Sequence, residues 1–484
     1  MYSWYYNKRN NFETDFSFMN PGSKFPTERM KFKNADYKFR KKQMLGAYGY
    51  DRYLDISVDG VEKSLPIKVL SLNYYKLLVN KISDLVFNNE VIIKSGDTDT
   101  DVQINKLVAK KNWVYKMRQA FRSCMIYGDS YTKTYKNGVS VFNPINGFKV
   151  VDVHDVSKTK AYVLYEYLRS GYIRLEDELP PIRAIRFEVH LPAYVFEIVM
   201  NYSGDGLSGK IGSSVEYYYA GRKIPKGGTW YKTNVTDAEL VQCMSVNREI
   251  DGVYGISTFV DIQDIVNCLE ERITVENSTL NSLQKPLIIV GRSAVEEDFD
   301  NPGHYRLKVT NGNMMVVEDG TTGSPMTPQS FQQDYKLDAY DTFIDRLKGE
   351  LYELSEMGKT FMSSEYSGNI SEETLNNLIK GAIDKANRTL TDCYDSFIDS
   401  LYVLCQLNNI NVEKDSLNIL FNISQTDDDK SVADICNILT TTKVLSKRTV
   451  REKYFGYTAE QSDLEDKQIA VESGDIVNED DITE

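Results

Sequence analysis

Gly255-Ile-Ser-Thr-Phe-Val-Asp-Ile-Gln-Asp-Ile-Val-Asn-Cys-Leu-Glu-Glu-Arg-Ile-Thr-Val-Glu276 opens a stretch that meets no further Gly or Pro until Pro286. Gly255 and Ser257 supply a helix start. The run predicts a helix of about 25 residues, roughly 38 Å long. Short apolar runs at 287–290, 305–309 and 314–317 follow, joined by Gly-rich connections, and read as small strands. A second long helix is expected after Pro328. There Leu337, Tyr340, Ile344, Leu347, Leu351 and Leu354 step by three and four, a heptad-like seam suited to packing on other long helices. The sequence thus reads as a helix going out, a small β module and a helix coming back, a pair whose seam calls for a further partner.

The flanks complete the frame. Residues 357–370 hold two glycines and several small polar residues and read as a loop. Ser371, with Thr374 at the third helical position, caps a third long helix that runs to about Leu407. A strand at 417–423 and two short helices near 428–440 and 447–455 come next. The tail 463–484, with nine acids against Lys467 alone, is expected to be mobile. Upstream, residues 1–65 are aromatic and basic, with Lys31, Lys33, Lys38, Arg40, Lys41 and Lys42 among Phe32, Tyr37 and Phe39. They read as a solvated arm, or as one lying on a neighbour or on nucleic acid. Leu78, Ile82, Leu85 and Val86 mark a helix over 72–87, and a further helix is expected from Ile104 to Tyr127, closed by Gly128. Alternating runs at 130–136, 139–142, 148–153, 161–167, 185–190, 193–201 and 215–219 read as strands. The fold class is α+β, with a mixed body of about 250 residues.

Composition narrows the function. The chain of 484 residues has 57 basic against 70 acidic side chains, a formal charge of −13, and 41% hydrophobic residues. That is about three domains' worth of chain, able to bury a core. No apolar run is long enough to span a membrane, and the N-terminus lacks the apolar stretch of a signal peptide. The expectation is a protein made in a cytoplasm. Cys124, Cys243, Cys268, Cys393, Cys405 and Cys436 show no metal-binding spacing and read as reduced thiols. His154, His190 and His304 are too scattered for a histidine-based metal site. Global acidity argues against gripping nucleic acid by bulk charge, but not against letting it slide.

The chemical motifs are negative. Gly204-Asp-Gly-Leu-Ser-Gly-Lys-Ile211 approaches a phosphate-binding loop, but Ile211 replaces the hydroxyl that would hold Mg²⁺, and strands flank it; it reads as a hairpin connection. Asp427, Asp428 and Asp429 suit a helix N-terminus. No nucleophile elbow, Cys–His arrangement or HExxH motif occurs, so no catalytic residue, metal or cofactor is expected. The long helices carry Asp261, Asp264, Glu270, Glu271 and Glu276, then Asp334, Asp338, Asp341, Asp345, Glu350, Glu353 and Glu356. These acids either solubilise the helices or line a passage that a polyanion does not stick to.

Three segments together resemble a family, the portal proteins of tailed bacteriophages of the long-tailed type. The first is residues 74–93, followed by Cys124-Met-Ile-Tyr-Gly-Asp-Ser-Tyr131. The second runs from Asn247 through Gly255-Ile-Ser257 to Asp261-Ile-Gln-Asp-Ile-Val-Asn267. The third is Ser367-Gly-Asn-Ile-Ser371 with Leu375, then Leu417-Asn-Ile-Leu-Phe421 leading into Asp427. Glu372 and Thr374 stand where the family usually has Gly and Ala, and Asn88-Asn89 where Gly-Pro is frequent.

The resemblance implies a non-enzymatic ring of twelve copies at one capsid vertex of the virion. Residues 1–250 would be arm and wing, 251–283 and 328–356 stem helices, 284–327 the clip and 357–370 the tunnel loop. Residues 371–424 would be the long wing helix and return strand, and 425–484 crown and acidic tail. Double-stranded DNA would pass through the channel during packaging and ejection. The terminase large subunit and head-tail adaptor proteins would dock on the ring, and the major capsid protein and scaffold would surround it. At the loop tip Lys359 would offer a cation, and Thr360, Ser363, Ser364 and Asn369 hydrogen bonds, while Gly358 and Gly368 would let the loop move. Another ring-forming virion protein, such as a head-tail adaptor, is the alternative. An enzyme acting on polyanions or glycans through acidic pairs is a more distant one.

Overall fold

The computed structural model describes residues 12–46, 52–57, 64–152, 154–155, 158–169, 180–235, 237–248, 252–283, 287–291, 295–297, 305–307, 314–317, 329–331, 337–358, 372–421, 423, 446–449, 462, 465–466 and 469. The chain forms two compact units. The first takes residues 1–367 and 379–422, and the second residues 368–378 and 423–484. Seven helices are described: α1 Glu28–Leu45, α2 Tyr74–Phe87, α3 Thr98–Lys110, α4 Trp113–Tyr127, α5 Gln263–Leu283, α6 Leu337–Leu354 and α7 Glu372–Leu407. Together with the sheets below they give the expected α+β class.

The main sheet of the first unit has seven strands. Antiparallel neighbours run from Lys24–Phe25 through Gly209–Ser214, Tyr194–Gly204, Ile182–Leu191 and Thr159–Arg169 to Gly147–Val151, with Thr229–Lys232 added against Tyr194–Gly204. One face buries Phe25, Phe148, Val163, Ile185 and Phe187. Phe18, Phe25, Phe148 and Phe187 meet edge-on, with centroids 5.0 to 5.7 Å apart, the arrangement aromatic quadrupoles favour. A second sheet, Val241–Ser245 beside Asp129–Tyr135 beside Gly138–Phe142, packs on α4. Trp113, Phe121 and Phe397 are fully buried where α4 meets α7, and Phe87 and Phe421 join them.

Several readings change. The basic arm does not stay in solvent: α1 runs through it and buries Met30, Lys33, Tyr37, Arg40 and Gln43. Its inward face is polar and aromatic, so hydrophobic periodicity is blind to it. The single helix over 104–127 is two, because Asn112 adopts φ +52°, a left-handed conformation Asn tolerates, and turns the chain between α3 and α4. The long helix expected from Gly255 is regular only from Gln263, since residues 258–262 form turns instead. Residues Gly209–Ser214 form a strand that sequence reading missed. The phosphate-loop look-alike is the hairpin between it and Tyr194–Gly204, closed by Asp205 accepting the N–H groups of Leu207 and Ser208 at 2.8 Å each.

The out-and-back segment has the expected order. Between α5 and α6, Leu287–Gly291 pairs in parallel with Met314–Val317 and antiparallel with Gln329–Phe331, while Val295–Glu297 pairs with Tyr305–Leu307. The seam needs no external partner along this half: α5 packs on α6, and Ile344, Leu347 and Leu351 are buried within the single chain. Phe343 and Leu354 remain exposed. The cap at Ser371, the helices near 428–440 and 447–455, Asp427–Asp429 and the tail fall on or run into residues outside the described set.

Candidate functional site

The structure brings the three family-like segments together. Gly128 ends α4 at φ +88°, and its Cα faces Gly255 so closely that an added Cβ would lie 2.4 Å from the Gly255 carbonyl oxygen. A Cβ on Gly255 would sit 2.0 Å from the Gly128 oxygen. Only two glycines allow this crossing. The next residue, Asp129, is fully buried. It accepts the Gly255 N–H at 3.0 Å, the Ser245 hydroxyl at 2.7 Å and the Tyr37 hydroxyl. Thr258 donates its N–H and hydroxyl to the Met125 carbonyl, so the approach to α5 is stitched to the end of α4. The third segment joins through Asn418–Phe421, which pairs with Val91–Lys94.

Two lysines enter this centre from opposite sides. Lys33 of α1 donates to the Gly147 carbonyl at 2.9 Å and lies 4.1 Å from the Tyr254 ring centroid. Lys149 donates to Ser245 and to the Val253 carbonyl. Burial pushes Lys33 down to about 8, against the opposing pull of Asp129. Burial, reinforced by Asp129, raises the Tyr37 hydroxyl well above its ordinary value. The centre clamps α1, the sheets and the approach to α5 to one another.

A second buried charge centre stays within the sheets. Lys133 pairs with Glu188, and Arg186 pairs with Glu188 at 3.1 Å and with Glu197. His190 Nε2 lies 3.5 Å from Glu188, and burial pushes its pKa down, so it is neutral at pH 7. Burial opposes ionisation of Glu188, but His190, Lys133 and Arg186 together hold it well below the usual carboxylate range.

At the far end of α6 the described chain ends in a turn at the start of the stretch 357–370. Glu356 at φ +59° and Gly358 at φ +65° terminate the helix, and Met357 between them is fully buried. The anchor comes from α7. Lys385 donates to the Ser355 carbonyl at 3.0 Å, Arg388 pairs with Glu356, and Gly381 leaves room for the Glu356 carbonyl, which an added Cβ would meet at 2.8 Å. Burial lowers the Lys385 pKa while Glu356 and Asp261 raise it. Gly358 is therefore placed; Lys359, Thr360, Ser363, Ser364, Gly368 and Asn369 lie outside the described residues. Lys385 and Arg388 escaped sequence reading. Gly381 was the available signal, because a glycine in a helix interior costs about 1 kcal/mol and so points to a close approach.

The acids divide. Glu270 does not face a passage: it is buried, pairs with Arg52 and accepts the Leu72 N–H at 3.0 Å. Glu350 pairs with Arg346 and Asp345 with Lys348, whereas Asp261, Asp264, Asp341 and Glu353 are exposed. Among the described residues no three His, Cys, Asp or Glu side chains gather as a metal site, and no helix is long and apolar enough to cross a membrane. Cys124, Cys243, Cys268, Cys393 and Cys405 are free thiols.

No curated protein matches the sequence. Among solved structures, a chain from the virion of the native gene transfer agent particle aligns over 79% of this chain and 89% of its own, at 10% identity and a TM-score of 0.37. A chain from the neck of the native particle, computed with C12 symmetry, aligns over 77% and 87% at 10% identity and 0.35. One from the neck of the empty particle, computed with C6 symmetry, aligns over 77% and 87% at 9% identity and 0.37. The sequence model of the family "Phage portal protein, SPP1 Gp6-like" matches residues 51–170 and 240–477, well over half of the chain and all three segments that meet around Gly128, Gly255 and Asn418–Phe421. The chain belongs to this family of phage portal proteins.

Proposed function

We propose that the chain assembles as a ring, of twelve copies as the family resemblance implies, that conducts double-stranded DNA at one capsid vertex of a virion. The observation that carries this reading is the sequence α5, β module, α6 inside the family-matched stretch, with α5 and α6 packed side by side. In this assignment α5 and α6 are the stem, residues 284–327 the clip on which the terminase large subunit and later head-tail adaptors dock, and residues 425–484 the crown. Capsid protein and scaffold surround the ring. Residues 357–370 are the tunnel loop, rooted by Lys385 and Arg388, with Lys359, Thr360, Ser363, Ser364 and Asn369 toward DNA and Gly358 and Gly368 as hinges. The role is passive: a separate nucleotide-driven motor moves the DNA, and exposed acids such as Asp341 and Glu353 discourage adhesion because like charge releases no counterions.

The test has two stages. The particle mass of the purified chain, with end-on images, is expected to show a closed ring around a hole; a monomer under all conditions refutes the assembly. Deleting residues 359–367 leaves Met357 and Gly358 in place. It is expected to preserve the ring and block packaging or retention of DNA, and full packaging by that variant refutes the role of the loop.

A further inference from the structure

Helix α1 carries seven basic residues against two acidic ones, in a chain whose formal charge is −13. Four of the seven bases have partners. Lys33 and Arg40 are buried, Arg29 donates to the Phe12 carbonyl and Lys31 pairs with Glu28 at 2.9 Å. Lys38, Lys41 and Lys42 are exposed, and their ammonium groups have no ion pair or hydrogen bond among the described residues. Exposed lysines elsewhere are of both kinds: Lys223 pairs with Glu216, while Lys106, Lys136 and Lys232 have no side-chain partner among the described residues; on α1 three such lysines share one turn. The helix dipole explains a cation in the last turn, which Lys42 occupies, but not Lys38. Spaced i, i+3 and i+4, the three side chains share one turn of the outer face. Each is a point cation on a long flexible stem, suited to phosphate oxygens and without the planar fork that reads base edges.

We propose that this face of α1 binds the phosphate backbone of double-stranded DNA without sequence preference, as a contact separate from residues 357–370. Choosing DNA over an acidic protein surface rests on the conduit reading above; the unpaired lysine cluster does not. The test is fluorescence anisotropy of the full chain with two short duplexes of unrelated sequence across a salt titration. The parent is expected to bind both alike. The variant K38A/K41A/K42A is expected to bind roughly tenfold or more weakly at moderate salt, with a plot of log affinity against log salt shallower by about 3, since each phosphate contact contributes about 0.9. Exposed substitutions leave the fold within about 0.5 kcal/mol, which a melting curve checks. Absence of binding by the parent, or an unchanged slope in the variant, overturns the proposal. Displacement of the duplex by polyglutamate as readily as by unlabelled DNA overturns it in favour of an acidic protein partner. The chain lacking residues 359–367 is expected to keep the parent's slope; loss of that slope assigns the binding to the loop instead. Normal packaging by the loop deletion would remove the tunnel-loop role and leave the α1 proposal standing.

Discussion

The two buried charge centres use similar residues for different ends. Around Glu188, two cations face two carboxylates inside one pair of sheets, and the charges satisfy one another. Around Asp129 the carboxylate acts on Lys33 through space, and the hydrogen bonds of Lys33 and Lys149 go instead to the carbonyls of Gly147 and Val253 and to Ser245. The first centre holds side chains; the second holds backbone, at the point where α1, the sheets and the approach to α5 cross. A self-contained ionic cluster is interchangeable with apolar packing of equal volume, whereas a cluster that ties together three chain segments is not.

The harshest way to break this comparison is at the crossing. Gly255→Val places carbon against the Gly128 backbone, which has no flexible end to yield. The loss is expected to exceed about 4 kcal/mol and to abolish soluble expression. A Gly255→Val protein melting within a few degrees of the parent would show the crossing to be soft.

Replacing carboxylates comes next. Asp129→Asn takes the countercharge from buried Lys33 and weakens the hydrogen bonds from Tyr37, Ser245 and Gly255, and is expected to cost about 3 to 5 kcal/mol, read by chemical denaturation; Glu197→Gln should cost less, because Arg186 keeps Glu188 at 3.1 Å. The two centres part when all their charges go. Lys133→Met, Arg186→Met, Glu188→Leu and Glu197→Leu together are expected to come out near neutral. Removing Lys33, Lys149 and Asp129 together is expected to stay destabilising, because the backbone carbonyls they serve remain buried. Equal outcomes for the two sets would erase the distinction.

A pH titration sharpens the same contrast. Lys33 titrates near 8 in the folded chain and near 10.5 when unfolded. Between those values the unfolded state binds more protons, so stability attributable to Lys33 rises with pH. The burial penalty is fully present below 8 and gone above 10.5. Relative to Lys33→Met, the parent is expected to gain about 3 kcal/mol across that window. A flat difference would mean Lys33 stays solvated. Glu188 has the opposite sign: its folded pKa is depressed, so its contribution is present above 4.5 and fades as pH falls.

These centres also mark where sequence reading reached and stopped. The order of helix, β module and helix was legible because apolar spacing and punctuating Gly and Pro report it directly. The Cys124–Tyr131 and Gly255–Ser257 motifs were legible as family likeness, but not that Gly128 and Gly255 touch, since nothing local encodes a crossing between residues so far apart. Helix α1 was hidden because its inward face is Lys33, Tyr37, Arg40 and Gln43, polar residues that become core only through partners elsewhere. The chain break at Asn112 rests on one left-handed residue, which apolar periodicity does not register.

The smallest expected effect falls at the loop anchor. Arg388 is 60% exposed and its partner Glu356 46% exposed, so Arg388→Ala should change stability by less than about 1 kcal/mol. Lys385 differs, being buried with its ammonium on the Ser355 carbonyl. Lys385→Met removes that donor and is expected to cost about 1 to 3 kcal/mol by leaving the carbonyl unpaired. If the anchor serves the loop, Arg388→Ala should nevertheless reduce DNA packaging in assembled particles while rings and melting temperature stay unchanged, because a mispositioned loop root alters function without unfolding anything. Arg388→Lys, which keeps the charge beside Glu356, should restore most of it. Equal packaging by parent, alanine and lysine variants would leave the anchor as ordinary helix packing and detach the loop's positioning from α7.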